Sequence, residues 1–175
     1  MPNWCQNVVY IEASPEEIEE IIASINNPAD DKGLLNYFRP EPEHAEVAQG
    51  TMPSWWTWRV ENWGTKWEVQ AEIVSHSVEG GWINLIFDSA WAPPIDAISF
   101  WADQKDERVC NLRYMEWGMM FCGEYDSQGE HDYYDIPETV QLAEQLIPVE
   151  LDEEFGILES MTQWEEEQAQ ELEGA

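Results

Sequence analysis

Trp58, Trp63 and Trp67 alternate with Arg59 and Lys66 in the stretch WWTWRVENWGTKW, residues 55–67, which holds five of the chain's eleven tryptophans. Indole faces interleaved with cations could stack on nucleic-acid bases at ~1–3 kcal/mol per base, or face a peptide. With Asn62, Asp88 and Trp91 they make a candidate pocket for a small molecule or peptide. Charge disfavours nucleic acid. Glu61 and Glu68 cancel the two cations, and backbone neutralisation, which normally supplies much of the affinity, has the wrong sign here. The competing reading is a packing joint, because each indole buries ~150–250 Å². Asn62 and Gly64 suit a turn that sets Trp63 against a sheet. Arg59 would then stack on an indole or pair with Glu61 or Asp88. The joint is the expected outcome, with Trp4 and Trp91 in the same cluster.

A second constellation is EYDSQGEHDYYD, residues 124–135. Glu124, Asp126, Gln128 and Asp135, with Gly129 at the sixth position, approach the spacing of a calcium loop. Glu replaces Asp at the first position, Gln stands fifth, the last acid is short, and the preceding segment reads as strand. An exposed acidic turn is the expected outcome. His44, His76 and His131 lie on separate elements, and no HExxH, GxSxG or phosphate-binding glycine loop occurs. No catalytic residue, metal or cofactor is indicated.

The third constellation is the acids themselves. The chain has 37 Asp and Glu against 7 Lys and Arg, a formal charge of -30. Residues 1–113 hold 19 acids and all 7 bases, a balance of -12; residues 114–175 hold 18 acids and no base, -18. Such a field repels nucleic acid and anionic membrane and attracts basic surfaces, including proteins that themselves bind nucleic acid. Glu150, Asp152, Glu153, Glu154, Glu159, Glu165, Glu166, Glu167, Glu171 and Glu173 fall within 24 residues. At 1.5 Å rise per helical residue their density can approach that of duplex DNA, at about one charge per 1.7 Å. A solvated helix or a frayed acidic tail is the plainer alternative.

The elements that must carry these groups follow from patterning. NVVYIE, residues 7–12, suits a strand. Ser14, Pro15 and Glu17 form a capping box ahead of Ile18, Ile21, Ile22 and Ile25, so a helix ends near Asn26. Residues 34–42 read as a short extended segment and 43–57 as an exposed connection. Strands are expected over 68–77 and 82–88, a helix over 95–102, and a hairpin of strands over 109–117 and 119–125. Residues 137–147 are helix-like, and the acidic remainder is helix-forming. Composition, 43% hydrophobic and 13% aromatic, suffices for a core. Cys5, Cys110 and Cys122 are too few and too scattered for a disulfide framework or zinc site, and read as buried, reduced thiols. The N-terminal residues lack a basic, apolar leader pattern, and no segment has membrane-spanning length. The expectation is a protein of the cytoplasm.

Four segments stand in a familiar order: MPNWCQN (1–7), FRPEP (38–42), WRVENWGTKW (58–67) and FDSAWAPP (87–94). In these the chain resembles the phage- and plasmid-borne YubB-like family with a ferredoxin-like domain, over about residues 1–125. The resemblance implies that fold and a mobile-element origin, and it brings no catalytic residues. The family name describes a topology, and three cysteines could not supply the four thiolates of an iron–sulfur cluster.

Together these readings predict an α+β fold: a ferredoxin-like sandwich over residues 1–135, an antiparallel sheet with helices packed on one face, plus an acidic helical extension over 136–175. The predicted role is an inhibitory, DNA-mimicking interaction protein of a phage-like element acting in counter-defence. Its partner would be a basic nucleic-acid-binding host protein, such as a restriction, nuclease or CRISPR component. The alternatives are a small-molecule- or peptide-binding module built on the tryptophan-rich stretch, or a non-enzymatic structural or regulatory phage protein. Neither direct nucleic-acid binding nor membrane binding is expected.

Overall fold

The computed structural model describes residues 3–26, 32–43 and 53–173. Among them are six strands and seven helices: β1 (Trp4–Glu12), α1 (Pro15–Asn26), α2 (Leu34–Phe38), α3 (Ser54–Trp63), β2 (Glu72–Ser77), β3 (Trp82–Ala90), α4 (Ile95–Ala102), β4 (Val109–Glu116), β5 (Phe121–Asp126), β6 (His131–Asp135), α5 (Val140–Leu146), α6 (Val149–Phe155) and α7 (Ile157–Glu173). The fold is α+β. Its single open sheet runs β2-β3-β1-β4-β5-β6, with every neighbouring pair antiparallel.

Strand alternation decides what each face of the sheet meets. Val9 and Ile11 of β1, Leu85 of β3 and Leu112 of β4 point to one face, where Ile18 and Ile21 of α1, Phe38 of α2 and Ile98 and Trp101 of α4 close the main core. Their neighbours Met115 of β4 and Cys122 of β5 point the other way. They form a second core with Ala143 of α5, Leu151 of α6 and Ile157 and Met161 of α7. Helices therefore cover both faces, not one. The single-face expectation fails because Met115 and Cys122 leave an apolar patch on the reverse side, and the C-terminal helices bury it.

The capping box forms as read. The Ser14 N–H donates to Glu17 Oε2 at 3.1 Å and the Glu17 N–H to Ser14 Oγ at 3.4 Å. Glu17 is itself buried, and its Oε1 takes Lys105 Nζ at 2.7 Å and Arg108 Nη2 at 2.6 Å. This ties α1 to the turn ahead of β4. Burial opposes the charge, yet these two cations and the Ser14 bonds bring the carboxyl down to about 2.

Two local expectations are corrected. Residues 34–38 are a helix, not an extended segment. Three of the N–H groups at its start, on Gly33, Leu35 and Asn36, find an acceptor in the distant Glu68 carboxylate. The connection expected over 43–57 ends in α3, which begins at Ser54; residues 44–52, including His44, lie outside the described residues. β6 was unforeseen.

Candidate functional site

The tryptophan-rich stretch splits into two parts. Residues 54–63 are α3, which stops at Gly64 in the left-handed conformation, φ 84°. A side chain there would also press on the Pro93 carbonyl oxygen, 3.0 Å from a Cβ. Trp63, the last helical residue, is fully buried and its Nε1 donates to the Arg39 carbonyl at 2.8 Å. Trp58 meets it edge-on at 5.8 Å. Arg59 donates from Nε and Nη2 to Glu41 Oε2 at 2.9 and 2.6 Å, with its guanidinium over Trp55 and Trp63. The ion-pair partner is thus Glu41, not Glu61 or Asp88. Asn62 bonds back to the Trp58 carbonyl at 2.8 Å. This half is a packing joint.

The second half is a cluster of indoles around one ammonium. Lys66 Nζ lies 3.8 Å from the Trp56 ring centre, 4.4 Å from Trp67 and 5.2 Å from Trp91. The rings themselves touch: Trp67 and Trp91 stack at 6.3 Å, Trp56 and Trp91 lie at 6.4 Å, and Trp4 meets Trp67 at 6.1 Å. The cluster sits where β1 begins and β3 ends. Trp91 has φ 66°, a strained conformation for a bulky residue. It is held by its N–H to the Asn3 carbonyl at 2.9 Å. Among the described residues Lys66 makes no ion pair and no hydrogen bond. Sequence reasoning placed Lys66, Trp67, Trp91 and Trp4 together but missed Trp56, hidden in a segment read as a connection.

Asp88 leaves this set. It pairs with Gln6 across the strands and lines an open groove of about 380 Å³ with Gln6, Glu72, Ile86 and Glu154. The candidate pocket of eight residues therefore does not converge: Trp58, Arg59, Asn62 and Trp63 pack as one group and Lys66, Trp67 and Trp91 as another.

The acids divide likewise. Glu150, Glu153, Glu159, Glu166, Glu167 and Glu171 are exposed, and no hydrogen bond or ion pair engages them among the described residues. Three others have structural work. Asp152 Oδ1 accepts the Leu158 N–H at 2.7 Å at the start of α7. Glu154 faces Arg113 at 3.6 Å. Glu165 Oε1 accepts the Val140 N–H at 3.0 Å. The side chain of Glu173 lies outside the described residues. Gly156, left-handed at φ 61°, separates α6 from α7, so the ten acids do not line one continuous helix.

Compared with known proteins, the chain matches no family model, no curated protein and no solved structure.

Other polar groups offer little reactive chemistry. The calcium-like residues lie along the β5–β6 hairpin, where Glu124 pairs with Asp132 across the strands and with Arg113 at 3.4 Å. Asp126 Oδ1 takes the Gln128 N–H at 2.8 Å inside the turn, and Asp135 pairs with Phe121 at the far end of the ladder. The four are thus strung out along paired strands and do not encircle a point. Burial pushes Cys5 and Cys110 up to about 12 and Cys122 to about 11, so these thiols stay protonated at neutral pH. Burial also raises the Tyr114 phenol, whose oxygen lies 2.7 Å from His131 Nε2. A further cavity of about 670 Å³ opens between Trp117, Met120, Met161 and Trp164. None of the described helices is long and apolar enough to cross a membrane.

Proposed function

We propose that this protein is a non-enzymatic interaction protein whose acidic surface occupies a basic, nucleic-acid-binding site on another protein. The observation that carries the reading is α7. Every described side chain from Thr162 to Glu171 is exposed, and the helix places six acids on 17 residues without one base. At 1.5 Å per residue this is about one charge every 4 Å, close to the 3.4 Å spacing along one DNA strand. Expected from sequence as a match to duplex density, the likeness is better drawn to a single strand. With a chain charge of -30, encounter with a basic channel would be steered and salt-sensitive.

The fold supports the same origin. Strands β1 to β4 stand in the order β2-β3-β1-β4, with helices after β1 and after β3. This order is the one expected of a ferredoxin-like βαββαβ unit and supports that reading. Together with the four segments that resemble the YubB-like family, it supports a ferredoxin-like domain from a phage or plasmid. Interference with a host restriction, nuclease or CRISPR component in the cytoplasm is the role that suits such an element.

The test is capture of partners from a bacterial lysate on the immobilised full chain at two salt concentrations, with release by duplex or single-stranded DNA. Expected is a nucleic-acid-binding protein, lost at high salt, displaced by DNA and lost from a variant carrying Gln at 166, 167 and 171. Partners without nucleic-acid-binding activity, or binding indifferent to salt and to those substitutions, would overturn the reading.

A further inference from the structure

We propose that Trp56, Trp67 and Trp91 form a cage for a quaternary ammonium group, closed in this structure by the chain's own Lys66. All three ring centres lie within 5.2 Å of the Lys66 nitrogen, inside the ~6 Å over which a ring quadrupole attracts a cation. The site is thus shown to hold a positive charge.

The chemistry of the walls fits a different cation better than the one present. A lysine ammonium is compact, strongly hydrated and carries three N–H donors. Among the described residues none of these donors finds an acceptor, in a chain that has 37 carboxylate side chains to offer. Indole faces accept charge but cannot satisfy three N–H groups well. A quaternary ammonium carries the same charge, has no donor to satisfy and is weakly hydrated, so it loses less on entering. Recognition of such cations by aromatic cages rests on this difference.

Access and rigidity also suit a binding site. Trp91 is 38% exposed and Trp4, beside Trp67, 49%, so a guest could approach from solvent once the flexible Lys66 stem swings aside. Trp91 is held at a strained positive φ, a conformation that is enriched at ligand-binding positions. The strong negative field of the chain raises the local concentration of any cation.

This inference does not depend on the role of α7. The guest group could belong to a free molecule such as choline or to a trimethylated lysine side chain.

The test uses the full ¹⁵N-labelled chain titrated with tetramethylammonium chloride, following indole N–H signals. Ammonium chloride and neutral 3,3-dimethylbutan-1-ol serve as controls for charge and for shape. Expected are saturable shifts at Trp56, Trp67 and Trp91 with tetramethylammonium alone. In K66M no internal cation has to leave, so affinity should rise about tenfold, the weight of one partly desolvated cation–π contact. Parallel titrations with choline and with a trimethyllysine peptide assign the source by which binds more tightly. A response that does not saturate, an equal response to either control, or K66M binding no tighter than the wild type would overturn the proposal. If K66M does not fold, the wild-type titration against the two controls decides.

Discussion

The carboxylate of Glu68 accepts the backbone N–H of Leu35 at 2.7 Å, so a residue 33 positions downstream closes the start of α2. The same carboxylate holds Gly33 at 3.2 Å and Asn36 at 2.9 Å. It supplies what the local sequence lacks, since Gly33 has no side chain with which to cap the helix. Replacement by Ala would leave these N–H groups without an acceptor, and E68A should cost about 2 kcal/mol or more. E68Q should cost less, because it keeps one acceptor oxygen and sheds the charge that burial penalises. Urea midpoints of the two variants check the order.

Glu17 gives a pH dependence with a definite sign. Its folded pKa of about 2 lies below the ordinary value of 4.5. Its contribution is therefore complete above about pH 4.5 and is lost as pH falls from there to about 2. E17Q leaves the buried Arg108 unpaired and should cost about 3–5 kcal/mol at neutral pH. Denaturation of the wild type and E17Q at pH 7, 4 and 3 should show the gap between them closing on acidification.

The exposed acids of α7 should behave oppositely to Asp152. E166Q, E167Q and E171Q together should leave thermal stability within about 0.5 kcal/mol, or raise it slightly by relieving like-charge repulsion. D152A removes the acceptor for the Leu158 N–H and should cost about 1 kcal/mol. Thermal melts of the triple variant and of D152A separate surface charge from capping.

Residue 135 should prove a poor place to end the chain. Met115 and Cys122 are buried by the C-terminal helices, so a fragment 1–135 would expose an apolar patch on the reverse of the sheet. Such a fragment should bind a hydrophobic dye and aggregate where the full chain does not. A fragment that stays monomeric with an unchanged melting temperature would show that the second core adds nothing to the first.

Much of the fold was legible where periodicity and capping agree. The capping box and the Ile18 and Ile21 stripe placed α1, and the hairpin turns at Gly80–Gly81 and Gly118 placed β3 and β4. The failures share a cause: the deciding partner is remote in sequence. Residues 34–38 look extended because their helix cap is Glu68, and Arg59 seemed to need Glu61 or Asp88 because Glu41 lies in an irregular segment. The aromatic cluster was half visible. Lys66 and Trp67 are adjacent in sequence, but Trp56 joins them only because the chain turns at the left-handed Gly64 after α3. On the reverse face, Met115 looked like one more strand residue until α5 to α7 were seen to cover it.

Arg113, which faces Glu124 and Glu154 from β4, is the last lysine or arginine in the sequence. The 62 residues that follow it contain no lysine and no arginine. Trypsin has no site within them whether they are folded or unfolded, and no lysine side chain there can be acetylated or joined to ubiquitin. Any lysine-directed mark within these 175 residues must fall on Lys32, Lys66 or Lys105, and one of these already sits among the tryptophans.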